Sequence, residues 1–355
     1  MILMSTSIKK SSVKNRSVKF GINRVAEHVR KYLILYTLVF VVLGIVIGYH
    51  YRTFSASDKG LMSNLVIFFA ILTIYPSMIQ LKTEGLLKHI RSFKPIVVSL
   101  IYVFVLSPLI AILVAPSFGN ASVASGFVVS NVVPASSASM GYVLIAGGSL
   151  ELATVLAVLS VVVAVPAIPL IMNLYSSQMH FTFPLAPVMT SVLYILILPL
   201  IAGQLTRYPI EKFKGKEFLN GTSRKYLSLI TMLSMFSLIF VLVFKEASVI
   251  VTRPDLVVYL IGFQSLIIVG ILILSLIVSR WISLSYEDHQ ALAMISVSKN
   301  QSVAAAIAVL SLSPVAALAP SVIPMIQPVL IIIYIHLEKP VKALFSKQKR
   351  VETYA

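Results

Sequence analysis

The sequence predicts an all-α polytopic membrane protein with ten transmembrane helices, and three observations lead to this fold class. The chain has 355 residues, of which 58% are hydrophobic and 12% charged, with a mean hydropathy of +0.95, well outside the range of soluble proteins. Its apolar residues form ten segments of roughly the length that crosses a bilayer as a helix. Its basic residues collect in alternate loops, which is typical of multi-pass membrane proteins.

The ten segments follow one another with short connections. We place them at residues 32–49, 64–81, 96–115, 123–145, 152–174, 188–206, 227–244, 256–280, 289–311 and 316–337.

The charge distribution orients these segments. Of the 29 Lys and Arg residues, 24 fall in the tails and loops of one side, 4 in the loops of the other, and Lys299 within a segment. Cytoplasmic loops carry the excess of basic residues, so the tails 1–31 and 339–355 are both predicted to be cytoplasmic, in a protein of the plasma membrane. The same distribution accounts for the net charge of +17 without a nucleic-acid partner.

The two halves of the chain resemble each other. Residues 32–175 form a first five-helix repeat and residues 188–338 a second, joined by a linker at 176–187. In each half the fourth segment is interrupted by polar residues and the fifth carries a proline pair. An odd number of spans per half inverts the second repeat, and inverted repeats with discontinuous helices are typical of secondary transporters.

The first interruption lies in the fourth segment. Pro134 removes a backbone donor, and the serines that follow it can bond the freed carbonyls. We take as candidate site residues here Asn131, Ser136, Ser137 and Ser139. A purely structural role, in hydrogen bonds between helices worth about 0.6 kcal/mol each, remains an alternative.

The second interruption lies in the ninth segment, at Lys299, Asn300, Gln301 and Ser302. Lys299 is about 11 residues from each end of Asp288–Ser311, so the helical rise places it near the bilayer centre. A lysine at that depth costs about 2.5–3.5 kcal/mol. One alternative is a lysine that faces lipid or bonds carbonyls for structure alone. We favour a binding or coupling site.

Other classes of function find little support in the residues. There is no cysteine, hence no thiolate metal site, and no nucleotide-binding glycine loop. The twelve acids lie in tails, loops or helix ends. We therefore expect no metal, no cofactor and no enzymatic activity; a dyad of Lys299 with a fourth-segment serine is the enzymatic arrangement that remains. A channel or a non-transporting receptor on the same fold stays open as an alternative.

Three runs resemble a known family. LTIYPSMIQLKTEGL (Leu72–Leu86), LPLIAGQLTR (Leu198–Arg207) and SKNQSVAAAIAV (Ser298–Val309) are similar to arsenite-efflux permeases and, more widely, to the bile acid:sodium symporter superfamily. The resemblance implies two inverted five-helix repeats that form a panel and a core domain. It also implies that the fourth and ninth helices are unwound and cross at the substrate and ion sites.

Several positions depart from the family pattern. Arsenite permeases have a cysteine in the fourth span, where this chain has Ala135 or a nearby serine, and tend to have a glutamate where Ser302 stands. Sodium symporters have a glutamate and an asparagine where Ile295 and Met140 appear. Thiol-based arsenite recognition is therefore excluded, and sodium coupling is weakened because hard cations prefer anionic oxygen ligands.

The sequence thus predicts a secondary active transporter for a small polar or anionic solute. Lys299 would replace the coupling cation at the crossover, or carry it as a proton by releasing that proton in one facing state. The neutral polar residues of both interruptions would contact the solute, and efflux of an arsenic oxyanion is the activity that the resemblance implies.

Overall fold

The computed structural model describes residues 24–29, 31–52, 59–81, 93–136, 138–178 and 184–345. We number its main helices α1 to α14 in chain order. They are α1 (Leu33–His50), α2 (Lys59–Gln80), α3 (Phe93–Ile101), α4 (Ser107–Val114), α5 (Ala121–Val132), α6 (Ser139–Ile145), α7 (Leu150–Gln178), α8 (Leu185–Val192), α9 (Leu198–Phe218), α10 (Arg224–Thr252), α11 (Pro254–Trp281), α12 (Tyr286–Val297), α13 (Gln301–Ile307) and α14 (Leu318–His336).

Eight stretches of the described residues are long and apolar enough to cross a membrane. They are Leu33–His50, Gly60–Gln80, Phe93–Phe118, Leu150–Ser177, Leu185–Phe218, Arg224–Thr252, Pro254–Trp281 and Pro314–His336. These stretches confirm the prediction of an all-α polytopic membrane protein.

The fourth and ninth predicted segments are each split into two shorter helices. In the fourth, residues 133–138 separate α5 from α6, and we call them the first break. In the ninth, residues 298–300 separate α12 from α13, and we call them the second break. Both breaks fall at the polar runs that the sequence singled out.

One boundary differs in a way that matters. The seventh segment was predicted to end at 244, but α10 continues to Thr252. Glu246, which was assigned to a loop, is therefore part of a helix and is only 4% exposed. The prediction missed it because two charged residues, Lys245 and Glu246, lower the local hydropathy without ending the helix.

Four helices, α1, α2, α9 and α10, pack together as one group. Glycines allow their close approach: a Cβ on Gly48 would lie 2.4 Å from the Phe244 carbonyl oxygen, and one on Gly203 would lie 2.6 Å from the Met78 Cβ. Small residues serve this purpose at helix contacts in membranes. The two breaks lie in a second group, in which α5, α6, α12 and α13 pack with their neighbours α3, α7, α11 and α14.

The predicted tails are described only in part. Residues 1–23, 82–92, 179–183 and 346–355 lie outside the described residues, and with them most of the basic N-terminal tail, part of the predicted linker and the end of the C-terminal tail.

Candidate functional site

The first break follows from the chemistry of Pro134. The residue before a proline is disfavoured in the α conformation, and Val133 accordingly has φ −64° and ψ 154°, which ends α5. Helical structure resumes only at Ser139. The segment between them leaves backbone groups that a helix would have paired.

The second break contains no proline. Ser298 (φ −90°, ψ 88°) and Asn300 (φ −83°, ψ 87°) leave the helical region, and the Asn300 side chain caps α13 by accepting a hydrogen bond from the Val303 N–H at 3.4 Å. Asparagine is among the preferred residues at this position. The polar run itself therefore starts the new helix.

The two breaks pair with each other as a short antiparallel ladder. The Ser136 N–H donates to the Ser298 carbonyl at 2.7 Å, and the Asn300 N–H donates to the Pro134 carbonyl at 2.9 Å. Ala135 and Lys299 face each other between these bonds. Buried backbone groups must find partners, and each break supplies them to the other.

Side chains of the following helices complete the ladder. In α7, the Ser160 Oγ accepts from the Ala135 N–H at 3.1 Å. In α14, the Gln327 Oε1 accepts from the Lys299 N–H and its Nε2 donates to the Lys299 carbonyl, both at 3.2 Å. The sequence analysis missed both residues, although Gln327 is visible as an amide between Pro324 and Pro328 of an apolar span.

Pro134 frees a carbonyl that the second break then bonds. Because proline has no N–H, the carbonyl four residues earlier, that of Ser130, loses its helical donor. The Gln301 Nε2 donates to this carbonyl at 3.2 Å. Of the serines after Pro134, Ser139 bonds the carbonyl of Ser136, whereas the Ser130 carbonyl is bonded by a side chain from the other interrupted segment.

A second proline, Pro108, leaves a backbone carbonyl free for Lys299 to bond. The chain between α3 and α4 forms a π-helical turn at Tyr102–Leu106, in which the Ser107 N–H donates to the Tyr102 carbonyl. The next residue, Pro108, has no N–H to donate. The Val103 carbonyl therefore lacks both of its helical donors, and the Lys299 Nζ donates to it at 2.7 Å.

The Lys299 ammonium is enclosed by few polar groups. The residue is 2% exposed, and its Nζ lies 6.0 Å from the centre of the Phe104 ring, within the range of a cation–π contact. None of the ion pairs within 4.0 Å in the described part of the chain includes Lys299. The polar contacts of its Nζ among the described residues are thus one carbonyl oxygen and one aromatic face.

A cavity of about 510 Å³ reaches the two breaks. Its lining includes five polar residues of the breaks and their flanks: Ser136, Lys299, Asn300, Gln301 and Ser302. It extends to the end of α2 at Gln80, to Arg207 of α9 and to Arg224 of α10. The size falls within the range of small-molecule sites.

Two of the predicted site residues that the structure describes, Asn131 and Ser139, do not line the cavity. Asn131 is fully buried and does not line the cavity: its Nδ2 donates to the Gln264 Oε1 and its Oδ1 accepts from the Ser107 Oγ, both at 3.0 Å. Ser139 donates to the Ser136 carbonyl, within the first break. Ser137 lies outside the described residues.

The far end of the cavity is basic. The Arg207 side chain is 4% exposed; its guanidinium donates to the Ile79 carbonyl at 3.1 Å and pairs with Glu211. Besides Arg207, Arg224 and Lys299, the charged residue among the described lining is Glu151. The described lining thus holds three basic residues and one acidic residue, and one of the basic residues, Arg207, is paired with Glu211.

The chain has apolar spans and two broken helices that pair beside a cavity, with neutral polar groups at the pairing. These features define a multi-pass membrane protein of the transporter class. The model of the sodium bile acid symporter family matches residues 66–253, more than half of the chain, and the chain belongs to this family. It is 26% identical over 309 residues to an uncharacterized transporter of Synechocystis sp. (strain ATCC 27184 / PCC 6803 / Kazusa), an alignment that covers 79% of this chain and 80% of that protein.

Proposed function

We propose that this protein is a secondary active transporter that moves a small polar or anionic solute by alternating access. The observation that carries the proposal is the backbone pairing of the two breaks at the cavity of about 510 Å³. Discontinuous helices that meet at a cavity place polar side chains beside it, and such sites bind the substrate in secondary transporters.

The solute would contact neutral residues of the second break and of the start of α13. Asn300, Gln301 and Ser302 all line the cavity and provide hydrogen-bond donors and acceptors without a charge. Arg207 and Arg224 would attract an anion from the far end. An arsenic oxyanion and a small organic acid both fit this chemistry, and transport in the direction of efflux is part of the proposal.

Lys299 would take the place of the coupling cation. Its Nζ already donates to the carbonyl of Val103, which lacks a helical donor and could otherwise be a ligand of a bound cation. Sodium prefers anionic oxygen ligands, whereas Glu151 is the carboxylate among the described residues that line the cavity. A proton carried by the amine is therefore favoured over sodium as the coupling ion.

The arrangement in the membrane is also part of the proposal. Ten spans in two inverted repeats, 32–175 and 188–338, would form a panel and a core; the packing of α1, α2, α9 and α10 as one group supports this division. With both termini cytoplasmic in the plasma membrane, the end of the cavity at Arg207 and Arg224 would open to the cytoplasm.

Counterflow in proteoliposomes tests the proposal. Purified protein is first screened by thermal shift against arsenite, arsenate, keto acids, pantothenate-like acids and bile acids at several pH values. The binding solute is then used in counterflow, in sodium and in sodium-free buffer, with Lys299→Met as the matched variant. Saturable counterflow that persists without sodium supports the proposal, whereas an ohmic current, or binding without flux, would replace it with a channel or a receptor.

A further inference from the structure

We propose that Gln327 is a positioning residue: its side-chain amide clamps the backbone of the second break and thereby directs Lys299 towards the Val103 carbonyl. The effect of the clamp on transport rests on the proposed function, whereas the clamp itself rests on the described hydrogen bonds.

The geometry of the ladder explains why a clamp is needed. Ala135 and Lys299 face each other between two backbone hydrogen bonds but do not bond each other. In an antiparallel pair of this kind, the N–H and C=O of the facing residues point away from the partner strand. In a sheet they would meet a third strand, and this two-strand ladder has none.

Gln327 takes the place of the third strand. A glutamine side chain carries the same donor and acceptor as a peptide group, and here it makes both bonds that a strand would make to Lys299, each at 3.2 Å. On the opposite edge, Ser160 gives a single bond, to the Ala135 N–H. Each break is thus held by a helix of the next segment, α7 or α14, but Lys299 is held at both of its backbone groups.

The clamp fixes the direction of the Lys299 side chain. With its N–H and C=O both bonded to α14, the peptide planes on either side of Lys299 cannot rotate freely, so its Cα–Cβ bond has one direction. The side chain then extends from a fixed origin, and its Nζ lies 2.7 Å from the Val103 carbonyl. Gln327 also lines the cavity, but its amide oxygen and nitrogen are both engaged with Lys299.

Hydrogen exchange with mass spectrometry tests the clamp without a known solute. Gln327→Met keeps a side chain of similar length and removes both hydrogen bonds; Ser160→Ala removes the bond on the opposite edge and is the matched control. In Gln327→Met we expect the peptide that contains 298–303 to exchange about three to ten times faster, as the loss of one net hydrogen bond predicts, with the peptide of α5 unchanged. Ser160→Ala should instead speed exchange around 133–138.

Gln327→Glu adds a pH-dependent measurement, which a side chain that only fills space would not affect. A protonated carboxyl group has one donor and remaining acceptor capacity, as an amide does, whereas a carboxylate only accepts. Protection of 298–303 in Gln327→Glu should therefore rise as the pH falls, while that of Gln327→Met should lack this response. Unchanged exchange at 298–303 in Gln327→Met, equal loosening of both breaks by either variant, or no pH response in Gln327→Glu would overturn the proposal.

These results are separable from the fate of the transport function. If counterflow is absent in the parent protein but Gln327→Met still loosens the second break, the proposed function fails and the clamp stands. If the parent transports and Gln327→Met leaves both exchange and the pH profile of transport unchanged, the clamp fails and the function stands.

Discussion

Replacement of Lys299 by methionine tests separately how the buried amine affects the stability of the protein and how it affects pH-dependent function. Methionine retains an unbranched apolar side chain and removes the charge. The Val103 carbonyl would then be left without a donor, because Ser107 bonds Tyr102 and Pro108 has no N–H; an unpaired buried acceptor costs about 1–3 kcal/mol. Against this, a lysine near mid-membrane costs about 2.5–3.5 kcal/mol. The balance runs from about 0.5 kcal/mol against methionine to about 2.5 kcal/mol in its favour.

We therefore expect Lys299→Met to fold as well as the parent protein and to lose pH-dependent function. The chain has no native cysteine, so a single Ser302→Cys reports on the cavity beside the second break. Its rate of modification by a water-soluble maleimide is measured against pH in the parent and in Lys299→Met. Ser228→Cys, at the far end of the same cavity, corrects for the titration of the thiol itself.

The ratio of the two rates should vary with pH in the parent and be flat in Lys299→Met, at an apparent melting temperature no lower than that of the parent. A large drop in melting temperature would mean that the ammonium stabilises the fold and that the balance above is wrong. An unchanged pH profile would remove Lys299 as the proton carrier. Glu246→Gln is the comparison here, because Glu246 is a second buried ionisable group and should leave the profile unchanged.

Three further predictions use the same preparations. Pro108→Ala introduces an N–H that can bond the Val103 carbonyl in place of Lys299, so the pH dependence of the Ser302→Cys rate should weaken; a profile like that of the parent would contradict the role of Pro108. Asn300→Ala removes the cap of α13 and should lower stability by about 1 kcal/mol, seen in the melting temperature, whereas Asn300→Asp should retain most of it. Arg207→Gln should raise the KM of counterflow for an anionic solute several-fold, most strongly at low ionic strength, and leave a neutral solute unaffected; equal effects on both would indicate damage to packing.

Local chemistry made the two breaks predictable. Pro134 and the serines after it disfavour a continuous helix, and Lys299–Ser302 interrupt an apolar run with polar residues that few membrane helices tolerate. The same patterns predicted ten apolar segments, and most helix bounds in the described residues lie within about five residues of them; α9 and α10 continue further, to Phe218 and Thr252. Periodicity and hydropathy thus located where the chain unwinds.

The partners of the site residues were not predictable in this way. Asn131 and Ser136 have similar polarity and lie in the same segment, yet Asn131 bonds Ser107 and Gln264 between helices while Ser136 lines the cavity. The direction of each side chain depends on contacts with helices distant in sequence. Likewise, Pro108 lies in a segment whose sequence shows no interruption. Its effect on the Val103 carbonyl is seen only in the structure, where Lys299, 191 positions later, donates a hydrogen bond to that carbonyl.

The contact between Lys299 and Val103 offers a physical route from protonation to movement. An ammonium donates a charge-assisted hydrogen bond, which is roughly twice as strong as a neutral one. Loss of the proton would leave an amine that still reaches the Val103 carbonyl but holds it less tightly. Because this bond joins the π-helical turn after α3 to the second break, its strength would bias how closely the two elements pack. A solute that contacted Asn300 and Ser302, which both line the cavity, would act on the same stretch of chain, so the two equilibria would be coupled through one segment of backbone.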